Sequence, residues 1–173
     1  MASYSPYIQN VCTVFMLLFG VNFSCYYLLL IRHFKTVFKD QELRMYIAIV
    51  LGSIVLITWN LHGFYSTLGE TVRHAAFQVA TVITTTGFAT TDFDLWPSFS
   101  KGILLALMFL GACAGSTGGG IKVALVVLLF RSLTKELSQS LHPNQVRKIH
   151  FEGRAVDHVV LRSVNVFMAA YIL

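Results

Sequence analysis

Residues 74–91 read HAAFQVATVITTTGFATT: an apolar, helix-permissive run up to Thr84, then threonines and a glycine, then a return through Ala89 and Thr90 to the acids Asp92 and Asp94. As a helix, His74–Thr84 reaches about 16 Å, roughly half of a bilayer's hydrocarbon core. Threonine is a poor helix former and glycine a worse one, so the helix is predicted to stop near Thr84. A short apolar helix, an irregular Thr/Gly stretch and a polar exit describe a re-entrant loop.

Such a loop needs a membrane, and the composition supplies one. The 173 residues are 55% hydrophobic and only 12% charged, with a mean hydropathy of +0.67. Soluble domains carry roughly twice that charge, about 25%. An ordinary water-soluble enzyme and a disordered chain are both excluded. Ile8–Ile31 has no charge and reads as a first span, with Asn22 and Ser24 facing protein; Met45–Leu61 reads as a second. Arg32, Lys35, Lys39 and Arg44 crowd one connection, and Arg131, Lys135, Arg147, Lys148 and Arg154 another. Between them, His62–Pro97 holds Arg73 against Glu70, Asp92 and Asp94. Basic residues stay cytoplasmic in short loops, so the first and third connections face the cytoplasm and the second faces outward. The basic balance is therefore topological, and no nucleic-acid partner is expected.

Phe99–Phe130 is too long for one span as unbroken helix, about 48 Å. It is interrupted by GACAGSTGGGIK, Gly111–Lys122. The flanks Phe99–Leu110 and Ile121–Phe130 together match one bilayer, so a single helix broken at mid-membrane is predicted. Irregular backbone at that depth requires surrounding protein or a water-filled cavity. The remainder is expected as a basic linker, 131–155, and the start of another apolar helix, 156–173, broken off in mid-run as in a partial chain.

Two stretches carry the candidate chemistry. At Thr85, Thr86 and Gly87, flanked by Thr84 and Phe88, main-chain oxygens can replace the hydration shell of a cation. Glycine allows the dihedrals that aim them, and the C-terminus of the preceding helix favours positive charge. The alternative is a plain external turn. Asp92 and Asp94 either concentrate cations at the outer mouth or are simply solvated. Gly111, Gly115, Gly118, Gly119, Gly120 and Lys122 suit a flexible constriction; the alternative is close helix packing. Lys122, costly in lipid, is expected to face the pore or a carboxylate. Gly115–Gly120 fits G-x-x-x-x-G, but Ile121 stands where a phosphate loop needs lysine. Cys12, Cys25 and Cys113 form no paired motif and read as packing residues. The histidines lack metal-ligand spacing, and no nucleophile–base arrangement points to an enzyme; no cofactor is expected.

Thr85-Thr86-Gly87-Phe88, Trp96-Pro97 and Gly111–Lys122, with Gly20-Val-Asn-Phe23, Tyr26-Tyr27 and the loop Lys39–Tyr46, resemble the Trk/Ktr/HKT potassium transporter superfamily, and within it the bacterial TrkH/TrkG membrane-subunit family. The resemblance implies an all-α membrane protein, potassium-channel-like, built from helix–re-entrant pore loop–helix repeats. Residues 1–44 would close one repeat, 45–130 form a complete one and 156–173 open the next. It implies potassium as the transported ion, a multi-pass place in the bacterial inner membrane, a homodimer, and a cytosolic nucleotide-binding TrkA-type regulatory subunit. It assigns Thr85–Gly87 to one of four filter strands and Gly111–Lys122 to an intramembrane gating loop. Gly87 is followed by Phe88-Ala89, where potassium channels carry Gly-Tyr-Gly. One pore loop in place of four makes this chain a fragment of a longer transporter; the alternatives are a small subunit that assembles four copies into a cation channel, and a non-transporting membrane scaffold.

Overall fold

The computed structural model describes residues 1–141, 150–151, 154–155 and 158–172. Eight α-helices run in chain order among them: α1 (Pro6–Phe19), α2 (Phe23–Leu30), α3 (Phe34–Lys39), α4 (Gln41–Asn60), α5 (Leu68–Ile83), α6 (Ser98–Phe109), α7 (Val123–Leu141) and α8 (His158–Ile172). A 3-10 turn, Phe93–Leu95, precedes α6. The chain is mostly helical, as expected; one antiparallel pair of two-residue strands, β1 (His150–Phe151) with β2 (Arg154–Ala155), departs from the all-α expectation.

α5 is the centre. It packs on α1, α4 and α6, and nine of its sixteen residues are buried. It begins at Leu68, two turns before the expected His74, because Thr67 accepts a hydrogen bond from the Glu70 amide at 3.2 Å, half of a capping box. Its length is thus about 24 Å. It ends, as predicted, at Thr84. Around it the core gathers Tyr46, Val50 and Ile57 of α4, Val79 and Ile83 of α5, and Leu104 and Leu107 of α6.

Three further boundaries differ from the sequence-based expectation. The span Ile8–Ile31 is not one helix: α1 and α2 meet at 90° across Gly20–Asn22. Asn22, expected inside the helix, caps α2 by accepting from the Ser24 amide at 2.9 Å. The backbone freed at the corner bonds to the glycine-rich segment, described below. The second span starts at Gln41, not Met45, because Asp40 caps α4 through the Leu43 amide at 3.0 Å. This draws Glu42 into the helix. The segment after the glycine-rich break does not end at Phe130 but continues to Leu141 as α7, about 28 Å in all. The expected linker therefore begins as helix; its basic residues Arg147 and Lys148 lie outside the described residues.

Among the described residues α4 is long and apolar enough to cross a membrane, and the bent α1–α2 pair reaches that length together. Leu51, Val55 and Trp59, one face of α4, are 57%, 64% and 77% exposed. Large apolar groups in a continuous exposed stripe need lipid or further protein around them. α8 rests on α7, with Leu128 and Val164 buried between them.

Candidate functional site

The chain leaves α5 at Thr84 and turns on itself. The Thr85 amide donates to Val82 O (3.1 Å) and the Thr86 amide to Thr81 O (2.9 Å). The Phe88 amide donates to the Thr81 hydroxyl at 2.8 Å. Thr81 thus holds both limbs of the turn, one with its carbonyl and one with its side chain. The Thr84 hydroxyl donates back to Ala80 O at 2.6 Å and lies 2.7 Å from that of Thr86. These amides face the helix. The main-chain oxygens of Thr85, Thr86 and Gly87, by contrast, accept no hydrogen bond among the described residues, and all three residues are exposed. Buried backbone is almost always paired; these exposed oxygens are instead open to an outside partner, whether water or a cation. The C-terminal end of α5, with its partial negative charge, closes on the same spot.

Gly87 has φ +81° and no neighbour within 4 Å of where a Cβ would stand. Glycine is needed there for its dihedrals, not for space. Thr85 also adopts the left-handed region, φ +55°. For a β-branched residue this is strained, and such strain persists only where its surroundings over-determine it. Thr85 Oγ1 meets that condition: it donates to Thr84 O (2.7 Å) and accepts from the Gly119 amide (2.8 Å).

The outer limb is braced separately. His74 Nδ1 lies 2.9 Å from the Thr90 hydroxyl, and the Tyr65 ring stacks on the imidazole at 5.0 Å. The Tyr65 hydroxyl bonds Thr91 Oγ1 (3.3 Å) and accepts from Trp96 Nε1 (3.0 Å). Asp92 caps the short 3-10 turn through the Asp94 amide at 3.0 Å, and Lys101 Nζ donates to Asp94 O at 3.1 Å. Asp92 and Asp94 therefore share this corner with the Lys101 ammonium. Beside the turn lies a cleft of about 270 Å³ whose lining includes Gln78, Thr85, Gly87, Phe88 and Met108.

Gly111–Lys122 forms a loop whose two ends lie side by side. The Gly111 amide donates to Ile121 O (2.7 Å) and the Ile121 amide to Phe109 O (3.2 Å). A Cβ on Gly111 would overlap the Gly119 carbonyl oxygen, so no other residue fits that crossing. The loop's tip docks on the α1–α2 corner: Cys113 N to Gly20 O (3.0 Å), Thr117 N to Phe19 O (3.3 Å), Phe23 N to Gly115 O (3.2 Å). Gly118 abuts Ala112 and the backbone of Thr84, Gly119 reaches Thr85, and Gly120 turns the chain at φ +75°. Of the two places expected for Lys122, the pore or a carboxylate, the second is not taken: its Nζ donates to Gly118 O within the loop. The carboxylate at this loop is Glu42, which accepts from the Ala114 amide at 2.6 Å and the Ala124 amide at 3.2 Å. Cys25 and Cys113 are buried and form no disulfide, and Cys25 Sγ lies 3.7 Å from an Asp40 carboxylate oxygen.

The two candidate stretches, far apart in sequence, are thus in direct contact. Thr81, Tyr65, His74 and Glu42 were missed as functional candidates in the sequence. Thr81 could have been found, since a threonine one turn before a Thr/Gly exit has its hydroxyl in reach of the returning strand.

A model of the TrkH family, described as cation transport protein, matches residues 1–173. This chain belongs to the TrkH family of cation transport proteins. It is 39% identical over 172 residues to the Trk system potassium uptake protein TrkH of Escherichia coli K12, covering 98% of this chain and 36% of that protein. It is 34% identical over 170 residues to the Trk system potassium uptake protein TrkG of the same strain, covering 96% and 35%. The crystal structure of the potassium transporter TrkH from Vibrio parahaemolyticus superimposes with a TM-score of 0.89 at 33% identity, covering 99% of this chain and 38% of that one. The chain spans a little over a third of the length of these relatives. They are potassium transporters, not enzymes.

Proposed function

We propose that this chain serves Trk-type potassium uptake across the bacterial inner membrane, carrying one strand of the selectivity filter and the intramembrane loop that gates it. The observation that carries the reading is the asymmetry at Thr85–Phe88: the Thr85, Thr86 and Phe88 amides are bonded back to Val82 and Thr81, and the oxygens of Thr85, Thr86 and Gly87 are left bare. Carbonyls without donors, on an irregular turn at the negative end of a half-buried helix, are what a dehydrating cation needs. The relatives' names, potassium uptake proteins, support potassium as the ion. The other strands of the ring come from further pore loops of the same transporter, as the family resemblance implies. Gly111–Lys122 then lies against the filter through the Gly119–Thr85 bond. The homodimer and the cytosolic TrkA-type nucleotide-binding subunit belong to the same reading.

The test is rubidium uptake by the complete gene product in potassium-starved cells. Gly87→Val is expected to abolish uptake with membrane insertion intact; normal uptake by that variant would remove the filter assignment.

A further inference from the structure

Glu42 lies in the first turn of α4 and is 2% exposed. A buried carboxylate persists only where hydrogen bonds replace its water. One comes from the glycine-rich loop and one from the helix that follows it. Oε1 accepts from the Ala114 amide, just past the loop's first bend, and from the Ala124 amide, in the first turn of α7. A single oxygen thus ties the first limb of Gly111–Lys122 to the start of the helix that follows the loop. The bonds are charge-assisted, stronger than the neutral backbone bonds by which the tip rests on Phe19 and Gly20, and the positive end of α7 adds to them. On its far side the same loop touches the filter turn, through Gly119 and Thr85.

We propose that Glu42 is the latch of the glycine-rich loop, a positioning residue whose carboxylate fixes Gly111–Lys122 against the filter turn and so limits the passage of ions. This rests on the filter reading above. The latched loop brings the Lys122 ammonium onto Gly118, next to the residue bonded to Thr85. A fixed positive charge there opposes a cation leaving the filter. When the loop moves away, Glu42 loses the Ala114 amide while that of Ala124 stays on α7, and water must take the vacated place, so loop position and hydration of the carboxylate are linked. Since α4 follows directly on α3 and the Asp40 cap, a displacement of that basic turn reaches the loop through Glu42.

Cys113 reports the latch directly. It is fully buried and adjoins Ala114. In the complete protein in membranes, Glu42→Ala is expected to raise the rate at which a water-soluble maleimide modifies Cys113, mapped by mass spectrometry, by about tenfold, the share of one charge-assisted hydrogen bond. Rubidium Vmax should rise with it, while KM and the preference for potassium over sodium stay unchanged. Glu42→Gln retains an acceptor oxygen and is expected to fall between the two. If Glu42→Ala fails to reach the membrane, the Gln variant decides. Wild-type protection of Cys113 in the variant that does insert overturns the latch and leaves the filter untouched. Normal uptake by Gly87→Val overturns the filter, while Cys113 labelling still reads the latch.

Discussion

Thr81–Thr91 and Gly111–Lys122 are both irregular backbone inserted between helices, yet they satisfy their amides in opposite ways. The first is held chiefly from within: α5, above all Thr81, takes the turn's amides, and neighbours reach its side chains alone, Gly119 at Thr85 and Tyr65 at Thr91. The second depends on others: Phe19, Gly20, Glu42 and Thr85, from three separate parts of the chain, hold the loop. A turn held by its own helix keeps its shape when neighbours shift, which suits a site that must present fixed oxygens to an ion. A loop held by several elements moves when any of them moves, which suits a gate. Irregularity alone does not separate the two roles; the origin of the hydrogen bonds does.

The sharpest way to break this contrast is at Gly87. A valine there must adopt φ +81° or unwind the turn, a cost of about 3 kcal/mol and an expected loss of uptake of about a hundredfold. Protein abundance in the membrane should be unchanged, since open space surrounds the site; rubidium influx and immunoblotting check both. Next in size is removal of Gly118–Gly120. Opening should change while the potassium-to-sodium ratio does not, because the turn keeps its own helix. A shift in that ratio with conduction intact would erase the distinction between the regions.

Thr81→Val tests the turn held from within. Losing the hydroxyl leaves the Phe88 amide without its acceptor, a penalty of about 1–3 kcal/mol. Both uptake rate and ion preference should fall, and Thr81→Ser should restore them. The smallest effect is expected at Trp96→Phe, which removes the Nε1 donor to Tyr65. A net contribution of about 1 kcal/mol should appear as a lower unfolding temperature of the purified protein and at most a slight change in uptake.

Much of this was legible in the sequence. The stop at Thr84, the glycine-rich break between α6 and α7 and the candidate filter all followed from length, propensity and charge. What was not legible came from partners distant along the chain. Ile8–Ile31 reads as one apolar run because hydropathy does not register that Gly20 O and Phe23 N bond to residues some ninety positions later. Glu42 reads as one more charge in a basic loop because nothing local shows two amides converging on it. For Lys122 the pore and a carboxylate both stood open, and neither points to the carbonyl four residues back in its own loop that it meets. The extent of α7 past Phe130 was hidden by the change from apolar to polar residues, which signals the end of a span and not of a helix.

The filter assignment itself is tested most directly by locating the ion. With the complete protein crystallised in rubidium, anomalous scattering should place a peak in contact with the main-chain oxygens of Thr85, Thr86 and Gly87. A rubidium path whose peaks lie elsewhere, with those oxygens bonded to protein or lipid, would contradict it.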